Sequence, residues 1–201
     1  MSPASLARRS YVALVHHPVY DKHEHVVATS ITNLDIHDIA RSCKTYGLAG
    51  YFLVHPVAAQ RELANRIVGH WQDPRGRQQN ESRSAALELV HVVSSIEEAI
   101  AQITQERQAA PLLVGTTARS PQRAVSPHDL LHDDELDRRP LLLLFGTGWG
   151  LVKDWLERAD RLLSPIRGTT DYNHLSVRTA AGIFLDRLFA EPEPNFGEHS
   201  V

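Results

Sequence analysis

Three glycines at alternate positions, Gly146, Gly148 and Gly150, form the stretch of this sequence best suited to binding a ligand. A residue without a Cβ lets the backbone turn sharply and lets a bound group come close to the main chain. A nucleotide-like ligand is the natural occupant of such a loop, although Gly-x-Gly-x-Gly also occurs in simple tight turns. The glycines therefore predict a binding loop without identifying its ligand.

The elements that must hold this loop precede and follow it. Leu141 to Phe145 is an apolar run with the length of a strand buried on both faces. Between residues 151 and 163 apolar side chains recur at helical spacing, which predicts a helix packed on the sheet. In Rossmann folds and open-sheet methyltransferases the glycine loop follows the first strand, whereas here it begins at residue 146 of 201. The late position indicates a different architecture.

Four separated segments of the chain together resemble the SPOUT superfamily of RNA methyltransferases. They are the glycine loop, the run from Ser164 to Ile183, the segment Gly115-Thr-Thr-Ala-Arg119, and Asp38 to Val54, which resembles the first motif of the SpoU branch. The resemblance implies an α/β fold that ends in a trefoil knot. It also implies S-adenosylmethionine as methyl donor, tRNA or rRNA as substrate, and a homodimer paired through the knot region, so that each site borrows from its neighbour.

In the SPOUT family three loops bind the donor, mainly through backbone groups. The resemblance places cofactor-binding residues at Thr116, Thr117, Phe145, Gly146, Thr147, Gly148, Gly150, Leu151, Ile166, Gly168, Tyr172, Asn173 and Leu175. A valine at position 148 is expected to block the donor while the fold survives. For the hydroxyls of the two threonines a purely structural role, such as helix capping, is the alternative.

The resemblance also implies catalytic residues. Asn33 and Arg41 fall near the Asn and Arg of the SpoU first motif, although their spacing is slightly longer than the pattern. A guanidinium stays protonated in proteins, so Arg41 is expected to fix a phosphate or polarise the target. Arg119 is its rival for that role, and a surface ion pair is the alternative for Arg41.

The chain departs from the ribose-methylating pattern in two places. Its glycine loop lacks the expected Glu, and Ser176 stands where an Asn is expected. A base nitrogen is therefore an open alternative target, with Asp171 or another carboxylate as proton acceptor. Two other classes of function also stay open: a module that binds the cofactor without catalysis, and a methyltransferase or nucleotide-binding enzyme acting on a small molecule.

Composition indicates how the surface is charged and in which cellular compartment the protein is expected. The chain has 21 basic and 24 acidic residues, a net charge of −3, so contacts to RNA are expected from local arginine clusters. The single cysteine, Cys43, excludes an internal disulfide framework and a multi-thiolate metal site. The sequence has neither an apolar run near the length of a membrane span nor a signal-peptide core, which predicts a cytoplasmic protein.

Four histidines crowd the segment after the first predicted strand, at His16, His17, His23 and His25. Structural zinc sites usually use cysteines or a tight tetrad of histidines and carboxylates on fixed elements. The expectation is therefore that these are solvated loop histidines and that the chain has no metal site.

Strand and helix patterns alternate about five times along the chain. This order predicts one α/β domain over residues 1–201, with a mostly parallel sheet covered by helices on both faces. A polar arm is expected at 1–9, a polar loop that is either disordered or orders on RNA at 72–85, a short helix near 128–136, and a flexible tail at 190–201.

Overall fold

A computed structural model of the protein describes residues 2–119 and 121–191. These residues contain nine strands, which in chain order are β1 (Ser10–Val15), β2 (Val19–Tyr20), β3 (Val26–Val27), β4 (Gly50–Val54), β5 (Val90–Val93), β6 (Leu112–Thr116), β7 (Ala124–Val125), β8 (Leu141–Gly146) and β9 (Arg161–Leu163). The helices within the same residues are α1 (Pro3–Ala7), α2 (Asn33–Thr45), α3 (Ala58–Gln72), α4 (Pro74–Gln79), α5 (Glu81–Leu87), α6 (Ile96–Arg107), α7 (Pro127–Leu130), α8 (Glu135–Arg138), α9 (Lys153–Arg158) and α10 (Val177–Phe189).

Seven strands form one sheet in the order β5-β4-β1-β8-β6-β9-β7, and every neighbouring pair is parallel. The centre of the sheet is the pair β1 and β8, aligned from Ser10 opposite Leu141 to Val15 opposite Gly146. Both strands are buried almost throughout, as their apolar composition predicts for a parallel sheet. Strands β2 and β3 form a separate antiparallel pair.

Alternate side chains of the central strands point to opposite faces of the sheet, and helices cover both. On one face Val12 and Leu143 belong to a core shared with α1, α2, α3, α5 and α10. On the other, Ala13 and Leu144 belong to a core shared with α6 and α9. The predicted parallel α/β sheet covered on both faces is thus confirmed, while the trefoil knot stays a prediction from the family resemblance.

Helix α2 shows how local sequence fixes an element at the site. The hydroxyl oxygen of Thr32 accepts a hydrogen bond from the backbone N–H of Asp35 and caps the helix. Ile36, Ile39 and Ala40 then face the core. The cap fixes the first turn and places Asp35 on the inner face of the helix, where it is 5 % exposed.

The prediction of a polar loop at 72–85 is wrong, because this segment forms α4 and most of α5. Asp73 and Asn80 cap these two helices through their side-chain oxygens, which accept the backbone N–H groups of Arg75 and Arg83. Helix α5 packs against α2 and buries Leu87. Capping and packing here outweigh a composition that is almost entirely polar.

The prediction of a single helix between residues 151 and 163 is also wrong. Helix α9 ends at Arg158, the backbone turns extended at Ala159, and Leu162 and Leu163 lie in strand β9. The carboxylate of Asp160 fixes this break, since it accepts the backbone N–H of Leu113 and pairs with Arg139. A helical apolar stripe cannot reveal such a partner from another part of the chain.

Smaller differences concern the ends and one connection. The expected polar arm contains α1, whose Leu6 and Ala7 are buried, so this segment belongs to the core. The short helix expected near 128–136 is two shorter helices, α7 and α8. Of the expected tail, residues 192–201 lie outside the described residues.

Candidate active site

A cleft with a volume of about 1000 Å³ opens at the carboxyl ends of three neighbouring strands, β1, β8 and β6. Its walls are the residue that follows β1, parts of the segment from β2 to the start of α2, the glycine loop that follows β8, the segment that follows β6, and the segment that leads into α10. Ligands of open parallel sheets bind at this edge, because the connections there leave a crevice. The topology thus brings together segments that are far apart in the sequence.

The glycine loop is shaped by close backbone contacts. A Cβ on Gly146 would lie 2.5 Å from the backbone nitrogen of Leu151, so no larger residue fits the turn. The loop is tied to β2, since Trp149 N–H donates to the carbonyl of Tyr20 and Tyr20 N–H donates to the carbonyl of Gly150. Gly148 and Gly150 have φ values of +57° and +99°. Both angles lie in the left-handed region that favours glycine.

Gly148 differs from its neighbour in what surrounds it. A Cβ on Gly148 would lie 2.8 Å from the carbonyl oxygen of Tyr20, whereas a Cβ on Gly150 meets nothing within 4 Å. The expectation that a valine at 148 blocks the donor while the fold survives stays a prediction. A side chain there first collides with the backbone of β2, so such a variant would disturb the loop itself.

Most of the residues predicted to bind the donor line this cleft. They are Thr116, Thr117, Phe145, Gly146, Thr147, Gly148, Gly150, Leu151, Ile166, Asn173 and Leu175. Gly168 and Tyr172 are not among its lining residues, and Tyr172 is 75 % exposed. The amide of Asn173 donates to the carbonyl of Ala118 at 3.0 Å and so ties two walls together.

The two threonines after β6 use their hydroxyls within the protein. Thr116 donates to the carbonyl of Leu144 at 2.9 Å, and the hydroxyl oxygen of Thr117 accepts the backbone N–H of Arg119. Their side chains thus join strands and shape a turn. A ligand can still meet their backbone groups, the free lone pairs of the Thr116 hydroxyl or the free O–H of Thr117.

The four predicted catalytic residues separate into two groups. Asp171 and Arg119 line the cleft. Asn33 and Arg41 do not; Arg41 instead borders a shallow hollow between α2 and α10, together with Tyr46 and Gly182. Asn33 is exposed in the first turn of α2. The roles of these two residues stay predictions from the resemblance.

Arg119 forms an ion pair across the mouth of the cleft. Its guanidinium lies 3.0 Å from the carboxylate of Glu24, and both side chains are 69 % exposed. Such an exposed pair contributes roughly 0–1 kcal/mol to stability. An incoming phosphate could replace Glu24 as the partner at little cost.

His16 is a cleft residue that the sequence reasoning placed in a solvated loop, and that expectation is wrong. It directly follows β1, lines the cleft and has 0 % exposure. Its Nδ1 lies 3.0 Å from the hydroxyl of Thr29, which lies 2.5 Å from the hydroxyl of Thr147. Burial lowers the pKa of His16 to about 4, which keeps the ring neutral. No sequence signal links these residues, because they meet only when β1 and β8 pair.

A second histidine, His55, holds the position of Thr29, the hydrogen-bond partner of His16. His55 follows β4, and its Nδ1 accepts the backbone N–H of Val57. Its Nε2 therefore carries the proton and donates to the carbonyl of Thr29 at 3.0 Å. Burial lowers the pKa of His55 as well. Both ring nitrogens are used, so His55 holds Thr29 in place.

Asp35 was also missed as a site residue. It lines the cleft from α2, and its carboxylate accepts from the hydroxyl of Thr32 at 2.6 Å and from the guanidinium of Arg178 at 3.2 Å. Arg178 lies in the first turn of α10 and also reaches Asp38. The interaction fastens α10 to α2 beside the cleft. Ser176, where the resemblance expects an Asn, caps α10 by accepting Thr179 N–H.

Sequence comparison identifies the family. A family model described as SAM-dependent RNA methyltransferase matches residues 9–190. The chain belongs to this family. This match agrees with the predicted class of S-adenosylmethionine-dependent RNA methyltransferase rather than with the small-molecule alternative.

Two relatives of the chain are informative. A protein of Oleidesulfovibrio alaskensis (strain ATCC BAA-1058 / DSM 17464 / G20) named tRNA (guanine-N(1)-)-methyltransferase is 46 % identical over 186 residues, covering 92 % of this chain and 43 % of the relative. The chain thus spans less than half the length of that protein. An uncharacterized protein of Aquifex aeolicus (strain VF5) is 40 % identical over 180 residues, covering 90 % of this chain and 88 % of the relative.

Solved structures support the fold of the methyltransferase. A probable methyltransferase from Bordetella pertussis Tohama I has a TM-score of 0.60 at 17 % identity and covers 92 % of this chain and 96 % of its own. The SpoU methyltransferase AviRb from Streptomyces viridochromogenes, in complex with AdoMet, has a TM-score of 0.54 at 19 % identity over 89 % of this chain and 56 % of its own.

The residues around the cleft suit the donor. Gly146, Gly148 and Gly150 line the cleft, so main-chain groups without side chains form part of its wall, as expected for a loop that binds through its backbone. The donor supplies an activated methyl group. Among the described residues no helix is long and apolar enough to cross a membrane, and none of their His, Cys, Asp and Glu side chains form a group of three that could hold a metal.

Proposed function

We propose that this enzyme methylates a nitrogen of a tRNA base. The relative from Oleidesulfovibrio alaskensis is named as a tRNA guanine-N1 methyltransferase, although the name belongs to a protein more than twice as long as the matched segment. The departures from the ribose-methylating pattern, the missing Glu and Ser176, also favour a base nitrogen. A cytoplasmic location follows from a tRNA substrate and belongs to the same proposal.

The observation that carries this proposal is the cleft itself. It gathers the glycine loop, an arginine at its mouth and proton-accepting side chains around one volume of about 1000 Å³. This volume is at the upper end of the range for small-molecule sites, so it has room for a cofactor and a flipped base. We propose that the predicted cofactor residues that line the cleft bind the donor, and that Arg119 contacts a phosphate.

We further propose that the enzyme is a homodimer. Trp149 and Leu175 are 62 % and 46 % exposed on the glycine loop and the segment before α10, which leaves large apolar side chains at the rim of the cleft. Arg41 lies outside the cleft of its own subunit, so a catalytic role would require it to reach a partner's cleft. A net charge of −3 also favours two sets of arginines facing one polyanion.

The test is methyl transfer from labelled S-adenosylmethionine to unmodified tRNA transcripts, followed by nucleoside mass spectrometry. We expect a base-methylated nucleoside such as 1-methylguanosine. A 2′-O-methylated nucleoside would contradict the base target, and methylation of rRNA fragments without tRNA would contradict the substrate. Light scattering at micromolar protein tests the dimer, and a monomer would refute it.

A further inference from the structure

The tautomer of His16 follows from the direction of a chain of hydroxyl hydrogen bonds that ends at its Nδ1. The hydroxyl of Thr147 donates to the carbonyl of Val15 at 3.1 Å. With that direction we infer that the Thr147 oxygen accepts the hydroxyl of Thr29, and that Thr29 accepts Nδ1–H of His16; the reverse direction would place the proton on Nε2. A neutral imidazole has one N–H, so in this inferred tautomer Nε2 carries a free lone pair.

This lone pair lacks a counterpart in the protein. Nε2 of His16 is buried and has no hydrogen-bond partner among residues 2–119 and 121–191. Buried polar atoms are nearly always paired. Because His16 also lines the cleft and Nε2 is fully buried, a donor that arrives with the ligands can pair with Nε2 only if neighbouring side chains shift. The rest of the ring is held by the chain of hydroxyls, so the orientation of Nε2 is set in advance.

The charged and titratable groups near His16 come from three elements. Asp35 on α2 favours the protonated ring, whereas His55 after β4 disfavours it. Asp35 is itself paired with Arg178 of α10. A positive charge formed on His16 would thus face a carboxylate that already has one cationic partner, and that carboxylate would stabilise it in part.

We propose that Nε2 of His16 is the acceptor of the proton that the RNA nucleophile loses during methyl transfer. This inference rests on the proposed base nitrogen target. The nucleophile's nitrogen forms its bond to the methyl carbon, and the bond between that carbon and the sulfonium sulfur breaks, its electron pair staying on sulfur. The electrons of the N–H bond remain on nitrogen as the proton passes to Nε2. The products are methylated RNA, S-adenosylhomocysteine and an imidazolium that returns its proton to solvent.

Two substitutions distinguish the role of Nδ1 of His16 from that of Nε2. His16→Asn keeps an amide N–H near the position of Nδ1, which preserves the bond to Thr29, but has no atom at Nε2. His16→Gln places its amide near Nε2, where it can accept a hydrogen bond but not a proton. His91→Asn is the matched control, because His91 lies on β5 outside the cleft.

In single-turnover assays at saturating donor we expect His16→Asn and His16→Gln to lower the rate by ~10²-fold or more, the range for loss of a general base. Calorimetric affinity for S-adenosylmethionine and thermal stability should change little in His16→Asn, and His91→Asn should keep the wild-type rate. A full rate in His16→Asn would overturn the proposal, above all if Asp171→Asn abolishes turnover. Weaker donor binding with an intact rate at saturation would also overturn it, since Nε2 would then bind the donor.

A readout independent of activity is the ¹⁵N spectrum of the ligand-free protein. We expect the Nδ1–H tautomer at His16, and an Nε2–H tautomer would refute the inference even in an active enzyme. A wild-type protein that methylates no RNA would instead refute the proposed function, so the two failures are distinguishable.

Discussion

At the scale of single residues, Arg119 is the cation best placed to meet RNA at the cleft. Its exposed partner Glu24 competes for the same guanidinium. We expect Arg119→Ala to weaken RNA binding and to reduce the slope of log affinity against log salt by roughly 0.7–0.9, the value for one lost phosphate contact. Fluorescence anisotropy over a series of KCl concentrations measures both. Glu24→Gln should bind RNA at least as tightly as the wild type, and an unchanged slope in Arg119→Ala would place the phosphate contact elsewhere.

The lowered pKa of His16 also predicts how the free energy of unfolding depends on pH. Its pKa is lowered from 6.5 to about 4 by burial. Between these values the unfolded chain binds a proton at this position and the folded chain does not, so the free energy of unfolding falls as the pH drops below 6.5. We expect His16→Asn to lose roughly 2 kcal/mol less stability than the wild type between pH 7 and pH 5.

Urea unfolding at the two pH values measures this difference. His55 and His91, whose pKa values burial also lowers, contribute in the same direction in both proteins and cancel in the comparison. An equal loss of stability in the wild type and in His16→Asn would mean that His16 is protonated as easily in the folded chain as in the unfolded one.

At the scale of elements, alanine substitutions of glycines in the loop and in α3 are expected to change stability by different amounts. Gly150→Ala should cost about 1–2 kcal/mol for the left-handed backbone alone. Gly148→Ala should cost more, because its Cβ meets the carbonyl of Tyr20 at 2.8 Å. Gly69→Ala, in the last turn of α3 with open space around it, should stabilise by roughly 0.5–1 kcal/mol.

Denaturant unfolding ranks these three variants, and calorimetry with S-adenosylmethionine shows which of them reach the site. We expect Gly148→Ala to lose donor affinity together with stability, and Gly69→Ala to keep it. If Gly148→Ala is no less stable than Gly150→Ala, then the packing of the loop on β2 is looser than the contact with Tyr20 implies.

The elements also show what the sequence could reveal. Apolar runs such as Leu141 to Phe145 predict buried strands correctly, because a strand covered on both faces needs no alternation. Helix α5 was missed because its cap at Asn80 and its packing on α2 act through few residues in a polar segment. The split between α9 and β9 depends on Asp160 meeting the backbone of β6, a contact that no local pattern contains.

The same argument applies to the site. The glycine loop and the segment after β6 were found from local motifs, and the structure brings them to one cleft. His16 and Asp35 were missed because their neighbours come from distant elements. Asn33 was chosen on its type and position, but the fold turns Asp35, two residues further along α2, toward the cleft instead.

At the scale of the whole molecule, the position of Arg41 connects assembly with activity. If Arg41 completes the partner's cleft in a homodimer, then Arg41→Ala and His16→Asn should each be inactive alone and should complement one another when mixed. Random exchange makes half of the dimers mixed, each with one complete site, so roughly a quarter of wild-type activity should return.

Single-turnover methylation after subunit exchange under mild denaturant measures this recovery. Mixing His16→Asn with Asp171→Asn is the control, because both changes lie in the cleft of one subunit and mixed dimers restore a site only if one of the two residues acts across the interface. No recovery with Arg41→Ala would confine this residue to its own subunit, where a surface role is sufficient.

The pairing of β1 with β8 has a consequence for synthesis on the ribosome. Ser10 lies opposite Leu141, so the middle of the sheet joins residues that leave the exit tunnel at very different times. Until β8 emerges, β1 has only β4 beside it, and one edge of a strand that is fully buried in the folded protein is unpaired. Contacts this distant in sequence form slowly, and unpaired apolar edges favour aggregation. The nascent chain is therefore expected to depend on chaperones until its last third has been translated, and the active cleft is among the last parts of the molecule to form.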